Sequence, residues 1–339
     1  MGPHAAGGTD LERRAREYLR SSPFAARVER IDPLTGDASD RRYLRVRLTG
    51  GESLVLALHA GPIDVGALPF VSVARLFQQL PVAVPAILGY SERGGVLALE
   101  DLGDITFQAW LSRATEPERL TRYREAASII DVIQRRGAAV DPAEYPPYQL
   151  AFDIEQLTAE LDFFVRHFLE GHRRVVLSPS ERQALAEEWA SLAAELAAEP
   201  RVLCHRDFHS RNLMVHRDRL YVIDFQDARL GPDTYDLVSL LRDSYADPGD
   251  RARDNIITHF LALKGQADEP GFRRRFALMS VQRNLKALGT FGYQATTRAN
   301  ASYLRDVPRT LGYVRANLHA YSRFSRLQQV LASHLEELD

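Results

Sequence analysis

The stretch Val202–Ala228 reads VLCHRDFHSRNLMVHRDRLYVIDFQDA and sets several polar side chains in an apolar frame. Asp207 and Asn212 lie five residues apart, and Asp224 follows twelve residues after Asn212. The β-forming residues between Asn212 and Asp224 predict two short strands around a charged turn. Polar groups held between such strands are partly buried, and buried polar groups need partners. The stretch therefore predicts a ligand site on a loop followed by a small hairpin.

Phosphoryl transfer is the chemistry that needs this set of residues. One carboxylate orients the acceptor hydroxyl and takes its proton, while an amide oxygen and a second carboxylate hold the Mg²⁺ that bridges the nucleotide phosphates. Mg²⁺ suits a small number of hard oxygen ligands because it keeps several of its waters. The spacing therefore favours Asp207 for the first role, with Asn212 and Asp224 for the second.

A zinc site is the competing interpretation of the same stretch. His205 and His209 lie four residues apart, as two zinc ligands on one helix would. A zinc-peptidase helix carries Glu after the first His, whereas Arg206 stands there in this chain. The flanking residues are also β-formers, so structural hydrogen bonding is the preferred interpretation of these histidines.

The spacing of apolar residues along the sequence changes near residue 103. Before it, short β-forming runs and a hairpin signal at Gly50-Gly51 predict a sheet. After it, apolar residues recur at helical spacing, and the chain from Thr234 onward is almost entirely helical in pattern. We therefore expect an α+β fold with a small β-rich N-terminal lobe over residues 1–102 and a larger, mostly helical lobe over residues 103–339.

Composition limits the classes of partner. The chain has 339 residues, and its 43 basic and 45 acidic residues are interspersed, so no basic surface for nucleic acid is expected. The single cysteine, Cys204, excludes a disulfide framework. The N-terminus lacks the apolar core of a signal peptide, and no apolar run is long enough to span a bilayer. We expect a cytoplasmic protein with small-molecule partners and no role at a membrane.

Specific motifs resemble a known superfamily. HRDFHSRN at 205–212 fits the H-R-D-x-x-x-x-N catalytic loop of kinases, and the segment IDFQ at 223–226 stands where kinases carry D-F-G. His209 makes the loop similar to the H-x-D-x-H-x-x-N form of aminoglycoside phosphotransferases and choline kinases. Within that superfamily the chain resembles the bacterial anomeric N-acetylmuramate/N-acetylglucosamine kinases. The further stretches that carry this resemblance, in the expected order, are LTGDASDRRYLRV, LALEDLGD, and VQRNLKALGTFGY with YLRDVP.

The resemblance implies a two-lobed, protein-kinase-like fold and assigns roles in the larger lobe. Asp207 would be the catalytic base, and His205 would brace its loop by hydrogen bonding. Asn212 and Asp224 would bind Mg²⁺. Asp236, in GPDTYDLVSLL, follows the pattern of a buried Asp that braces the catalytic loop. We expect contacts with the substrate from Arg206, His209 and Asp227.

The resemblance also implies where ATP binds. The backbone from Glu100 to Leu102 would form the hinge that hydrogen-bonds the adenine. A loop whose Gly lets the backbone approach the phosphates would cover them, with Ser39 and amides as donors. The residues of this loop are Gly36, Asp37, Ala38 and Ser39.

Two departures from the kinase pattern concern the N-terminal lobe. The strand SLVLALHA has no Lys, and the helix PFVSVARLFQQL has no Glu to pair with one. The anomeric sugar kinases are similar in lacking that Lys. We therefore expect an Arg of RRYLRVR to neutralise the phosphates, because its fork suits phosphate oxygens. The candidates are Arg41, Arg42 and Arg45, of which Arg42 is included among the predicted nucleotide contacts.

The function implied is transfer of a phosphoryl group from ATP to the anomeric hydroxyl of N-acetylmuramate or N-acetylglucosamine, giving the sugar 1-phosphate for cell-wall recycling. Two alternatives remain open. An aminoglycoside or another small alcohol is one, because FDIEQLTAELDFF supplies the carboxylates Asp153, Glu155, Glu160 and Asp162. A nucleotide-binding pseudokinase or scaffold is the other, which the missing Lys allows and the intact Asp207, Asn212 and Asp224 oppose.

Overall fold

The computed structural model describes residues 4–34, 41–266 and 270–339, without the side chains of residues 4–9. The chain divides into two compact units. The first contains the described residues of Met1–Ile105 together with Met214–Gln226, and the second contains those of Thr106–Leu213 and Asp227–Asp339. An antiparallel sheet in the first unit and many helices in the second confirm the predicted α+β class. The lobe boundary at residue 102 stays a prediction.

The first unit contains a five-stranded sheet in the order β1-β2-β3-β5-β4, in which every neighbouring pair is antiparallel. Apolar side chains of β2, β3 and β5 form its core together with Ala15 and Leu19 of helix α1. The elements are α1 (His4–Ser21), β1 (Val28–Leu34), β2 (Arg42–Leu48), β3 (Ser53–Leu58), α2 (Pro69–Gln79), β4 (Ile87–Ser91) and β5 (Val96–Glu100), with a short 3-10 helix at Ala25–Arg27.

The turn between β2 and β3 lies where the sequence predicts it. Gly50 and Gly51 have φ of +92° and +84°, a backbone conformation that glycine adopts without steric cost. Strand β1 was not predicted, because its apolar residues do not alternate clearly. Pro33 in this strand is compatible with its position at the edge of the sheet, where a ladder hydrogen bond is not required.

A second hairpin completes the first unit. It is formed by β7 (Leu213–His216) and β8 (Arg219–Val222), which confirms the two strands predicted around the charged turn. The turn residues Arg217 and Asp218 have φ of 47° and 56°, so both adopt the left-handed conformation of a tight hairpin turn. The Val215 N–H donates to the carbonyl of Ile105 at 2.8 Å, which ties the hairpin to the rest of the unit.

The second unit is mostly helical. A two-stranded antiparallel ribbon of β6 and β9 lies within it and leads directly into the predicted catalytic loop. Short 3-10 helices lie at Pro146–Gln149, Ala301–Asp306, Ser322–Phe324 and Glu336–Leu338. The elements are α3 (Phe107–Leu111), α4 (Glu116–Gly137), α5 (Ile154–Phe164), a π-helical segment (Val165–His172), α6 (Pro179–Ala197), β6 (Arg201–Cys204), β9 (Arg229–Pro232), α7 (Tyr235–Leu241), α8 (Asp250–Leu263), α9 (Pro270–Thr296), α10 (Val307–Ala320) and α11 (Ser325–Ala332).

Helix α9 approaches α5 and the π-helical segment closely. A Cβ added at Gly289 would lie 2.9 Å from the Cα of Phe164, and one added at Gly292 would lie 2.2 Å from the carbonyl oxygen of His167. Both contacts are with backbone, which cannot rotate away as a side chain can. The two glycines therefore set how near α9 lies to its neighbours.

Among the helices of the described residues, none has both the length and the apolar composition that crossing a membrane requires.

The close approach of α9 predicts a difference between two glycine substitutions. Gly292→Ala places a Cβ 2.2 Å from a backbone oxygen, so we expect it to lower the free energy of unfolding by about 1–3 kcal/mol. Gly312→Ala on α10 is the matched control, since among the described residues no atom beyond its own helix backbone and chain neighbours lies within 4 Å of its added Cβ. We expect the control to be neutral or to stabilise by up to about 1 kcal/mol. Urea unfolding measures both; equal stability of the two variants would contradict the packing described.

Candidate active site

The loop after β6 is held by one buried carboxylate. The backbone N–H groups of His205 and Arg206 donate to Asp236 of α7 at 2.6 and 3.0 Å, and Asp236 is fully buried. Burial raises the pKa of Asp236, and the interactions with His205 and Arg206 oppose that rise. Arg206 has a φ of 87°, so the chain turns sharply at this point. The contact confirms the brace predicted for Asp236.

Hydrogen bonds within the loop fix the residues that follow. The Asp207 N–H donates to Nδ1 of the buried His205 ring at 3.2 Å. The Asp207 carbonyl accepts from Nδ2 of Asn212 at 3.0 Å and from the His209 N–H at 3.0 Å. The loop therefore closes on the backbone of Asp207, and the bond from Nδ2 defines the orientation of the Asn212 amide.

The carboxylate of Asp207 is clamped by cations from α9. Its Oδ1 accepts from a terminal nitrogen of Arg283 at 3.2 Å and from Nζ of Lys286 at 3.3 Å, while its Oδ2 lies 3.9 Å from Nε of Arg206. Burial opposes ionisation of Asp207, but the charges of Lys286, Arg283 and Arg206 outweigh it and hold its pKa well below the usual range. Asp207 is therefore an anion whose Oδ1 is occupied by two cations, and its side chain keeps 27% of its exposure.

Further contacts hold the clamp in place. Nε of Arg283 donates to Oγ of Ser239 at 2.5 Å, and its guanidinium lies 5.2 Å from the centre of the Tyr235 ring. Oε1 of the buried Glu160, on α5, lies 3.9 Å from Nζ of Lys286 and 4.0 Å from Arg206. Helices α5, α7 and α9 thus share the positioning of Asp207.

Arg283 and Lys286 lie in VQRNLKALGTFGY, a stretch that carries part of the resemblance but for whose residues no roles are predicted. A signal for them exists in the sequence. Gln282, Arg283 and Asn284 are three successive polar residues in a helical segment that is mostly apolar, and all three are buried. Buried polar runs of this kind need partners, so they indicate a site.

A cleft in the second unit opens at Asp207. Its lining combines polar and aromatic side chains, as small-molecule sites do, and includes His209, Tyr245, Asn284 and Phe291. Within the described residues, Nδ1 of His209 and Oδ1 of Asn284 are buried without a hydrogen-bond partner. Burial lowers the pKa of His209 to about 3 against the opposing charge of Asp207, so its ring is neutral. Two polar atoms are therefore available to a ligand in this cleft.

The end of the loop is fixed from α7 and its C-terminal flank. The N–H groups of Ser210 and Tyr245 donate to the two carboxylate oxygens of Asp243 at 2.9 and 2.8 Å. Burial raises the pKa of Asp243 to about 6, although these hydrogen bonds lower it. The guanidinium of Arg211 lies 3.6 Å from the Tyr245 ring centre, and its Nε donates to Gln108 at 3.0 Å. Arg211 therefore has a structural role in this arrangement.

The structure brings His205, Arg206, Asp207, His209 and Asn212 together in the second unit. Asp227 joins them at the exposed side, where its Oδ2 lies 3.5 Å from Arg206. The metal and substrate roles of these residues stay predictions.

Asp224 belongs to the first unit, where it is exposed and has a φ of 61°. Its Oδ1 accepts from Nε2 of Gln226 at 2.8 Å. A non-glycine residue in this conformation is uncommon and indicates a local constraint. Its predicted role as a Mg²⁺ ligand is neither supported nor opposed by this contact.

The predicted nucleotide contacts of the first unit fall into two groups. Gly36, Asp37, Ala38 and Ser39 lie outside the described residues. Glu100 and Leu102 are described. The Glu100 N–H donates to the carbonyl of Ala86 at 2.8 Å, and the Leu102 carbonyl lies 3.1 Å from Nδ1 of His216. Two backbone groups of the predicted hinge are thus already used within the unit.

The arginines proposed to replace the missing Lys differ in environment. Arg45 is buried, and its guanidinium pairs with Asp101 at 2.7 Å and Asp104 at 2.9 Å. Ser53 also donates to Asp101 at 2.6 Å. Arg42 is exposed at the start of β2. Arg45 therefore serves the internal structure of the unit, and Arg42 stays a predicted phosphate contact.

Aromatic packing connects α2 to the IDFQ segment inside the first unit. The ring of Phe225 stacks on Phe70 at 4.8 Å between centroids and lies 5.6 Å from Phe77. Helix α2 contains no Asp or Glu. The first unit thus joins these two segments by apolar contact.

Comparison with known proteins places this arrangement in context. A family model described as "Phosphotransferase enzyme family" matches residues 30–275. An N-acetylmuramate/N-acetylglucosamine kinase of Neisseria meningitidis serogroup B is 32% identical over 312 residues, which cover 89% of this chain and 90% of that protein. The protein of the same name from Pseudomonas aeruginosa is 34% identical over 308 residues, covering 89% and 87%.

Among solved structures, a choline/ethanolamine kinase family protein from Mesorhizobium loti is similar with a TM-score of 0.62. It is 16% identical, and the match covers 96% of this chain and 99% of that one. At this identity the likeness concerns the fold, and it confirms the predicted protein-kinase-like class. The matches together confirm the resemblance derived from the motifs.

Removal of the Asp236 carboxylate, which braces the loop, is expected to lower the stability of the protein strongly. Asp236→Ala leaves one buried and one partly buried N–H group without its carboxylate acceptor, so we expect it to lower the free energy of unfolding by about 2–6 kcal/mol. Asp153→Ala is the matched control, because Asp153 accepts the Gln156 N–H at 2.8 Å but is exposed. We expect the control to cost about 1 kcal/mol. Denaturant unfolding compares them, and a smaller loss for Asp236→Ala than for Asp153→Ala would refute the brace.

Proposed function

The chain belongs to the phosphotransferase enzyme family, and we propose that it transfers the γ-phosphoryl group of ATP to the anomeric hydroxyl of N-acetylmuramate and N-acetylglucosamine. The observation that carries this proposal is Asp207, which Arg283 and Lys286 hold through Oδ1 in the lining of a polar and aromatic cleft. The names of the bacterial relatives support the choice of sugar. A sugar 1-phosphate would be the product.

Asp207 acts on the acceptor hydroxyl. With Oδ1 held by Arg283 and Lys286, Oδ2 is the oxygen that accepts the hydroxyl hydrogen and directs the oxygen toward the γ-phosphorus. The cations that keep Asp207 ionised also make it a weak base. An anomeric hydroxyl is more acidic than an ordinary alcohol, so a weak base is sufficient for it. Proton transfer to Asp207 then accompanies formation of the new oxygen–phosphorus bond, while the bond from the γ-phosphorus to the β–γ bridging oxygen breaks and ADP leaves.

Asn212 and Asp224 would hold Mg²⁺, since an amide oxygen and a carboxylate are hard ligands of the kind this ion takes. The hydrogen bond from Nδ2 of Asn212 to the Asp207 carbonyl orients the amide, and its oxygen would be the atom that binds the metal. When bound, the ion would neutralise negative charge on the β- and γ-phosphates.

The remaining assignments are parts of the same proposal. Glu100 and Leu102 would hold the adenine, Gly36 to Ser39 would cover the phosphates, and Arg42 would neutralise part of their charge. His205 would keep the loop in register, and Arg206, His209 and Asp227 would contact the acceptor or its phosphate. The lobes would divide near residue 102, and the protein would act in the cytoplasm on small molecules.

The aminoglycoside alternative has less support. Of the four acidic residues proposed for such a pocket, Glu160 is the buried one, and it faces Lys286 and Arg206. Asp153 is exposed and caps α5, and Glu155 and Asp162 are exposed. A polycationic acceptor would meet cations at Asp207. The pseudokinase alternative rests on the missing Lys, and it is opposed by Asp207, because a scaffold does not need this carboxylate kept ionised by three cations.

A panel of sugars tests the function directly. We expect ATP and Mg²⁺ to support phosphorylation of N-acetylmuramate and N-acetylglucosamine, with phosphorus NMR showing the phosphate coupled to the anomeric proton. The 1-O-methyl glycosides should be inert because their anomeric oxygen is blocked. Phosphorylation of a blocked sugar, or turnover of an aminoglycoside alone, would refute the proposal.

Asp207→Asn tests the mechanism while preserving side-chain volume. Loss of the base should lower kcat by at least ~10²-fold, within the range that general-base catalysis supplies. Nucleotide binding, followed by calorimetry, should persist because Asp207 acts on the acceptor. Asp153→Asn is the control, since this exposed residue keeps its capping function as Asn. A kcat for Asp207→Asn close to that of the control would show that another group takes the proton.

A further inference from the structure

We propose that Lys286 is a specificity-determining residue whose ammonium pairs with a carboxylate of the acceptor, so that the cleft favours N-acetylmuramate over N-acetylglucosamine. The proposal rests on the proposed function and extends it to the choice between the two sugars. These sugars share the reacting hydroxyl and the acetamido group. They differ in a lactyl ether that ends in a carboxylate, so the charge is what a selective residue would recognise.

The amino-acid composition makes this lysine unusual. Lys264 and Lys286 are the lysines of the whole chain, whose 43 basic residues are otherwise all arginine. Position 286 is therefore one of two positions in the chain that carry an ammonium group where a guanidinium is the rule. Lysine is a compact point charge with rotatable donors, whereas the arginine fork needs planar partners. The site at 286 therefore has the group suited to reach two anions lying in different directions.

The contacts of Lys286 leave donors for a ligand. Its Nζ hydrogen-bonds Oδ1 of Asp207 at 3.3 Å and lies 3.9 Å from Oε1 of Glu160, which exceeds hydrogen-bond distance. An ammonium has three donors, so hydrogens remain beyond the bond to Asp207. The side chain lines the cleft and retains 14% of its exposure. Lys286 can thus bind an anion in the cleft without releasing Asp207.

Neighbouring Arg283 makes more contacts with the protein, and its side chain is less exposed, at 9%. Its Nε is used by Ser239, a terminal nitrogen is used by Asp207, and the group is buried over Tyr235. On α9, Arg283 therefore holds Asp207, whereas Lys286 contacts Asp207 and also faces the acceptor.

The charges that line the cleft agree with an anionic acceptor. Three cationic residues face two carboxylates, and His209 is neutral. One of these carboxylates, Asp243, has both oxygens occupied by backbone N–H groups. A partly enclosed positive charge attracts an anion more strongly than it would in water. The residues concerned are Arg242, Arg283 and Lys286 against Asp207 and Asp243.

The test compares three acceptors whose anomeric centres are the same: N-acetylmuramate, its carboxyl methyl ester, and N-acetylglucosamine. In the wild type we expect kcat/KM for the acid to exceed that for the ester by at least ~10-fold, as expected for loss of one charge-assisted hydrogen bond. The ester needs no mutation, so this comparison does not depend on a variant folding. Lys286→Met keeps the length of the side chain, and we expect it to bring the acid and the ester within about twofold of each other.

Lys264→Met is the matched control. Lys264 is also half-buried and donates to Oε1 of Gln134 at 2.6 Å, but it lies away from the cleft lining. This variant should keep the wild-type preference for the acid. The proposal is overturned if the wild type does not distinguish acid from ester, or if Lys286→Met lowers kcat/KM for all three acceptors by the same factor. Failure of the proposed function would look different, because then none of the three acceptors would gain an anomeric phosphate.

Discussion

The clamp on Asp207 is the interaction on which the candidate site depends. Two cations of one helix converge on a single carboxylate oxygen at 3.2 and 3.3 Å. This contact requires α9 to lie close to its neighbours, and Gly289 and Gly292 permit that approach against α5 and the π-helical segment. It also requires the loop to hold its shape, which Asp236 ensures from α7. The environment of Oδ1 of Asp207 therefore depends both on the packing of helix backbones and on the pairing of charged side chains.

The catalytic loop could be predicted from sequence because its information is local. Asp207, Asn212 and the following hairpin lie within a short stretch whose spacing indicates both the chemistry and the strands. The resemblance added Asp236, which the structure places on the backbone N–H groups of His205 and Arg206.

Other features depend on contacts between distant segments and could not be predicted in the same way. Arg283 and Lys286 reach Asp207 from far along the chain, and nothing in their local pattern names the partner. Arg45 is a candidate for phosphate binding in the sequence, whereas in the structure its guanidinium pairs with Asp101 and Asp104. The hairpin turn at Arg217 and Asp218 has left-handed backbone without glycine or asparagine, so its type was invisible in the sequence. Sequence propensity describes single residues, whereas these roles depend on which other residues each one contacts.

The first unit draws its hairpin from a later part of the chain. Met214–Gln226 belongs with Met1–Ile105, although all of Thr106–Leu213 lies between them in sequence. During synthesis the ribosome must therefore release a long part of the second unit before the first can be completed. Phe225, which packs on Phe70 and Phe77, emerges among the last residues of the first unit. Domains commonly fold as they leave the ribosome, but here the first unit stays incomplete after its five sheet strands are made, because α2 lacks its aromatic partner until the catalytic loop and Phe225 have been synthesised.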